Sequence, residues 1–319
     1  MRQMRAAGIE QFGGEVRTLE VMAPRSPEAD EVVVLVRAAG IGNWDEIVRM
    51  GGWDVGRAPP LVLGVEAAGV VVAVGDDVTT FAVGDEVLTH PVPLRYQGAW
   101  AEHLVAPAAL VAMKPPAVAW DAAAAFAVPA LTAQQAITDA IRDPEGAWIL
   151  VHGAGGVTGG LAVQLAVARG AIVVATAGSA RAARLLRYGA RLVLDYHDPA
   201  WPARARDAGP GRGGLAAAVS AVRGGAASAL QCVADGGRLA TITGDPPPQE
   251  RGINVSDIYV KADGKRLDHL VRALADGTLS LDVTATLPLA NAAAALQSVT
   301  TGRARGAIVL TPDAPAATA

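Results

Sequence analysis

Five glycines crowd the ten residues Val151–Gly160 (VHGAGGVTGG), directly after the apolar run Trp148-Ile149-Leu150-Val151. A strand that ends this way must turn sharply and continue with little side-chain bulk. The small residues Ala154, Gly156 and Gly159 have the spacing of a dinucleotide-binding turn. There the first permits the bend, the second lets backbone N–H groups approach a pyrophosphate, and the third lets the next helix pack close to the strand. A helix starting at such a turn aims free N–H groups and the positive end of its dipole at the phosphates. A plain glycine-rich turn is the competing reading. The dinucleotide reading needs a strand before, a helix after and a strand again. Ala147–His152, Gly159–Arg169 and Ala171–Ala175 supply that pattern, so Ala154, Gly156, Val157, Thr158 and Gly159 are the candidate cofactor contacts.

The alternation continues with a helix over Ala180–Tyr188, a strand over Arg191–Leu194, a helix over Ala226–Ala234 and a strand over Gly237–Thr243. Leu215–Val222 reads as strand or, through its alanines, helix. Ala203–Gly214 and Pro246–Arg251 read as loops. Strand–helix alternation at this spacing predicts a doubly wound parallel sheet. The first third is different. Glu31–Val36, Gly69–Val74 and Phe81–Leu88 read as strands separated by glycine turns, which predicts a curled antiparallel unit. Asp121–Asp139 reads as alanine-rich helix with Pro129 as a break. Leu267–Gly277 and Leu289–Thr300 read as helices, Ala307–Leu310 as a last strand, and Pro312–Ala319 as a loose tail. The expected fold class is therefore α/β: a Rossmann-type sheet plus a second, mostly β domain. A length of 319 residues fits two domains.

Net charge is −4 and no basic block stands out, which argues against a nucleic-acid partner. Cys232 is the single cysteine, so no internal disulfide forms, and a free thiol suits the cytoplasm. No apolar run approaches the ~20 residues that cross a bilayer, and the N-terminus has no signal-peptide core, so no membrane partner is expected. At the tip of the second strand stands Thr176-Ala177-Gly178-Ser179-Ala180-Arg181, with no acid before Asp195. A carboxylate there would hold the ribose 2′-OH of NAD. Its absence, with Ser179, Arg181 and Arg184 at hand for a 2′-phosphate, predicts NADPH.

Beyond the glycine turn, several motifs resemble one family. These are Ala39-Gly40-Ile41-Gly42-Asn43-Trp44-Asp45, the run from Leu63 to Gly75 with its Gly-x-Glu-x-x-Gly-x-Val pattern, Ala130-Leu131-Thr132-Ala133, His152–Gln164 and Gly302–Leu310. The chain resembles the medium-chain dehydrogenase/reductases of the zinc-free, quinone oxidoreductase-like branch. That resemblance implies a GroES-like catalytic domain over residues 1–125 and 265–319 and a Rossmann domain over 126–264. Zinc-dependent relatives carry a cysteine three residues before the early aspartate and a histidine between the glycine and glutamate. Here those slots hold Gly42 and Val65, so no metal is expected. The five histidines have no metal-ligand spacing; His152, ending a Rossmann strand, is the one best placed to face a ligand.

Without a Lewis acid, the resemblance implies small-molecule substrates that spread negative charge themselves: quinones, enones and other activated alkenes. The oxygen that takes the charge then needs a hydrogen-bond donor. Tyr96, Asn43 and Asp45 are the catalytic candidates, and Thr132 resembles a threonine beside the nicotinamide. A tailoring or enoyl reductase of secondary metabolism and a non-enzymatic NADPH-binding redox sensor are the competing functions. The resemblance also implies a homodimer, paired through a candidate edge strand Ile258-Tyr259-Val260.

Overall fold

A computed structural model describes residues 3–210 and 213–312. The chain divides into two compact units. One takes the described residues up to Val128, Ala262–Gly277, and those from Leu281 on; the other takes Pro129–Lys261 and Thr278–Ser280.

The first unit opens with β1 (Gln3–Ile9), β2 (Arg17–Met22) and β3 (Glu31–Ile41), then α1 (Asn43–Arg49), β4 (Leu61–Val62), β5 (Ala67–Val74), β6 (Glu86–Thr89), β7 (His103–Pro107), β8 (Val111–Met113) and α2 (Trp120–Ala124). β1 joins β2 and β4 in a small antiparallel sheet. β3 is the spine of the larger sheet, flanked by β5 and β7 and, from the far end of the chain, by the last strand. Most of it is buried on both faces, which explains its nearly unbroken apolar sequence. The strand expected over Glu31–Val36 runs on to Ile41, because Ala38, Ala39 and Gly40 are small enough to be buried in the sheet. That extension delivers the chain to Gly42 and α1. The strand expected over Phe81–Leu88 forms only from Glu86, since Gly84 turns the chain first at φ +102°.

The chain then enters α3 (Ala127–Gln135). Pro129 does not break this helix. It lies in the first turn, where its missing N–H has no helical acceptor to lose. The interruption falls between α2 and α3. The second unit continues with β9 (Trp148–His152), α4 (Val157–Ala168), β10 (Ile172–Thr176), α5 (Ala182–Arg187), β11 (Leu192–Leu194), α6 (Trp201–Asp207), β12 (Leu215–Ser220), α7 (Ala226–Gln231), β13 (Val233–Thr241) and β14 (Asn254–Asp257). The strands form one parallel sheet in the order β11-β10-β9-β12-β13-β14, the doubly wound order with its switch point beside β9. Leu150, Val174, Leu215, Leu230, Leu239 and Ile253 make its core. Leu215–Ser220 is strand because both its neighbours, β9 and β13, are strands. α6 replaces much of the loop expected over Ala203–Gly214: Trp201 and Ala205 bury one face against the sheet. Ile258-Tyr259-Val260 is not a strand. The edge strand is β14, just before it, and Tyr259 is exposed.

The chain returns to the first unit as α8 (Gly264–Ala275), β15 (Val283–Pro288), α9 (Ala292–Thr300) and β16 (Ala307–Thr311); β15 and β16 pair in parallel and β16 adds to β3. Beyond Pro312 the expected tail lies outside the described residues. Leu150 is fully buried on the central strand β9 of the parallel sheet. Leu150→Ala should cost ~2–5 kcal/mol in urea unfolding; a loss below ~1 kcal/mol would place the core elsewhere.

Candidate active site

The glycine turn has the geometry its spacing predicts. Gly153 stands at φ +83°, open to glycine and strained for other residues. Gly156 is the N-cap of α4, and no side chain caps the helix there. A Cβ built at Gly159 would lie 2.3 Å from the Gly153 carbonyl oxygen, so only glycine lets α4 come this close to the turn. At Gly156 the nearest atom to such a Cβ is 3.6 Å away, which leaves the outer side of the turn open. Ala154 is buried beneath it. Val157 and Thr158 open the helix and are half-buried. These residues fit a dinucleotide pyrophosphate.

The threonine ending β10 secures the turn. Thr176 Oγ1 accepts the Gly153 N–H at 3.0 Å and bonds His152 Nδ1 at 2.7 Å. His152 thus has its Nδ1 engaged by Thr176. It stacks on Trp201 with centroids 4.6 Å apart, and burial lowers its pKa to about 4. Beyond β10, Ser179 is exposed, while Arg181 and Arg184 both donate to the Gly155 carbonyl, at 2.8 and 2.9 Å. Two guanidinium groups thus meet on the turn itself. Asp195, the nearest acid, follows β11 and is held by the N–H and ring of His197. Thr132 is buried on α3.

In the first unit, Asp45 is fully buried and its Oδ2 accepts the Gly42 N–H at 2.8 Å, closing the start of α1. Its Oδ1 has no hydrogen-bond partner. Burial pushes its pKa up to about 8, with the Gly42 N–H pulling the other way, so the carboxyl is mostly neutral at pH 7. Glu66 is equally buried and is also raised well above its ordinary value, first by burial, with the Asp45 charge adding to it. It accepts the Val128 N–H at 2.8 Å. His90 donates Nδ1–H to the Val65 carbonyl at 2.6 Å, and burial lowers its pKa to about 4. His90 Nε2 and Trp44 Nε1 are buried without partners. Asp45, Glu66 and His90 thus gather around the segment Gly64-Val65-Glu66. Of these, Glu66 stands in a motif legible in the sequence, whereas His90 has no sequence signal that singles it out.

The other candidates stand apart. Asn43 is exposed at the first position of α1. Tyr96 donates its hydroxyl to the Met22 carbonyl at 3.0 Å, which ties its loop to the end of β2.

Residues 28–116 match the alcohol dehydrogenase GroES-like domain family, and residues 188–310 match the zinc-binding dehydrogenase family. The quinone oxidoreductase of Mus musculus is 33% identical over 199 residues, 61% of this chain and 59% of that protein's length. Among solved structures, the quinone oxidoreductase of Pseudomonas syringae pv. Tomato DC3000 superposes with a TM-score of 0.87 at 27% identity, covering 97% of this chain and all of that one. A structure named as an NAD-dependent alcohol dehydrogenase gives 0.86 at 29%, covering 97% and 99%. The two matched domains place the chain in the medium-chain dehydrogenase/reductase superfamily, and it is similar to quinone oxidoreductases over about three fifths of their length.

Two positions bear on the zinc in the second family's name. Val65 offers no ligand, and Gly42 is covered by the Trp44 indole, which a Cβ there would meet at 2.2 Å. Among the described residues one carboxylate group converges, Glu28, Asp30 and Glu31, and Arg25 already pairs with Glu31 at 2.8 Å and Glu28 at 2.7 Å.

The raised Asp45 carboxyl makes a pH prediction. The folded chain holds this proton up to about pH 8, whereas the unfolded chain releases it in the ordinary carboxylate range, so folding stability falls as pH rises between them. One such group contributes a slope of about 1.4 kcal/mol per pH unit. His90 and His152, lowered when folded, add a slope of opposite sign that fades above the ordinary histidine value of 6.5 and is common to wild type and variant. Asp45→Asn should therefore remove the Asp45 share of this slope between pH 6.5 and 8 in denaturant titrations, leaving the share of Glu66. An unchanged slope would show that Asp45 is ionised when folded.

Proposed function

We propose that the chain is an NADPH-dependent oxidoreductase that transfers hydride to a quinone, enone or other activated alkene without zinc. One observation carries this reading. An open glycine turn stands on a doubly wound sheet, with two arginines on it and no acid at the tip of β10 before Asp195. The names of the similar quinone oxidoreductases support the substrate class, and the positions Gly42 and Val65 support independence from zinc.

When bound, the cofactor supplies hydride from its nicotinamide. The chain's own part begins with Ala154, Gly156, Val157, Thr158 and Gly159, which hold the pyrophosphate. Ser179, Arg181 and Arg184 take the 2′-phosphate, the arginines exchanging the Gly155 carbonyl for a full negative charge, a stronger acceptor. Thr132 lies toward the nicotinamide. Asp45 keeps its proton in a dry pocket and orients the start of α1, where Asn43 stands. The phenol of Tyr96 is a loop tie. The protein acts as a cytoplasmic homodimer on small-molecule substrates, with β14 as the pairing edge.

NADPH should bind roughly tenfold to a hundredfold more tightly than NADH, as a phosphate contact worth ~1.5–3 kcal/mol requires. Arg181→Ala should remove much of that preference and leave NADH affinity unchanged. Equal affinities in the wild type, or tighter NADH as in the NAD-dependent relative's name, would overturn the cofactor assignment. Purified protein should reduce quinones or enones with no stoichiometric zinc by elemental analysis; equal rates on saturated alcohols with NADP⁺ would reject the reaction class. Tyr96→Phe should leave kcat within about twofold and lower stability by ~0.5–1.5 kcal/mol. A large drop in kcat with stability intact would return the phenol to the reaction.

A further inference from the structure

Two loops leave the carboxyl ends of β12 and β13, residues 221–225 and 242–245, and Asp245 joins them. Its Oδ2 accepts the Gly224 N–H of the first loop. Its Oδ1 accepts the hydroxyl of Thr243 and, at 3.2 Å, that of Thr241 at the end of β13. The two threonine oxygens are themselves 3.1 Å apart. Burial opposes the charge on Asp245, but the donors from Thr243, Gly224 and Thr241, with Arg223 nearby, outweigh it and lower the pKa. The carboxylate is therefore anionic at neutral pH.

The first loop is also fitted against the nucleotide turn. The Ala221 N–H donates to the His152 carbonyl at 2.9 Å. A Cβ at Gly153 would lie 2.5 Å from Val222 Cγ2, and one at Gly225 would lie 2.6 Å from His152 Nε2. The loop thus meets the turn at one end with no slack, while its other end is held by Asp245. In a doubly wound sheet the dinucleotide lies outside the carboxyl ends of the strands and spans two mononucleotide halves. Here β9, β10 and β11 carry the glycine turn and Arg181. The Asp245 clasp stands on the other half, β12 to β14.

We propose that Asp245 is a positioning residue for the nicotinamide half of the cofactor: by clasping loops 221–225 and 242–245 it fixes the floor on which that half rests. The proposal builds on the dinucleotide reading above, and its test separates the two. Hydrogen exchange in cofactor-free protein reads the clasp directly. The Gly224 amide should exchange at least tenfold faster in Asp245→Ala, and Asp245→Asn, which keeps one oxygen acceptor, should fall between that variant and the wild type. Titration then compares NADPH with 2′,5′-ADP, which carries only the adenosine half. Asp245→Ala should weaken NADPH about tenfold and leave 2′,5′-ADP within twofold, with partial recovery in Asp245→Asn. Unchanged exchange at Gly224 would overturn the clasp. Equal weakening of both ligands would overturn its bias toward the nicotinamide half and mark a general collapse of the site. A wild type that binds neither ligand would instead sink the dinucleotide reading, and the exchange result would still decide whether the clasp exists.

Discussion

The second unit depends on the close approach of α4 to the end of β9, and that approach depends on an absent side chain. With a Cβ at position 159 placed 2.3 Å from the Gly153 carbonyl, any other residue would force the helix away from the strand. The helix would then no longer aim its uncapped N-terminus over the turn. Two further contacts hold the arrangement in place. Thr176 ties down the Gly153 N–H from the neighbouring strand, and the stacked pair His152–Trp201 fills the space under the turn. Neither residue needs to touch a ligand to matter, because both determine where backbone N–H groups point. A binding surface built from backbone is rigid for the same reason that it is intolerant of substitution.

The first unit meets a different constraint. It holds two buried carboxyl groups, Asp45 and Glu66, that interact electrostatically, and a buried imidazole, and among the described residues no cation offsets the burial of the acids. In such a place ionisation is expensive, and the groups remain neutral instead. Each carboxyl also accepts the N–H of a residue at the start of a helix, Gly42 before α1 and Val128 in α3. The acids thus act first as caps, and their proton is a consequence of burial. The Trp44 indole lies over Gly42, with its Nε1 buried.

How much of this was legible in the sequence follows from the kind of signal involved. The glycine turn and the strand–helix alternation are periodic and local, so the parallel sheet could be read over β9 to β11. β12 could not be assigned, because Leu215-Ala216-Ala217-Ala218 suits helix and strand alike and its neighbours in the sheet decide. β2 and β15 escape notice for another reason: they alternate between exposed and half-buried positions and lack a long apolar run. Among site residues, Asp45 was found through a motif, but its neutral state was not, since burial is a property of the fold. His90 and Thr176 carry no sequence mark at all. His90 acts by one hydrogen bond to a residue 25 positions away, and Thr176 by two, to residues 23 and 24 positions away.

Tyr96 shows the same limit from the other side. A phenol in a loop of the expected kind is a reasonable donor on sequence grounds, and nothing in residues 91–98 foretells that its hydroxyl finds a carbonyl on β2, 74 residues earlier. A hydroxyl satisfied by backbone loses that bond if it turns to a substrate, so it contributes less to a transition state than its chemistry suggests. The buried atoms left without partners at Asp45, Trp44 and His90 are different, because a new contact there would replace nothing. The polar chemistry of the first unit therefore concentrates where hydrogen bonding is incomplete, around Gly42 and Gly64–Glu66, and not where donors are merely numerous.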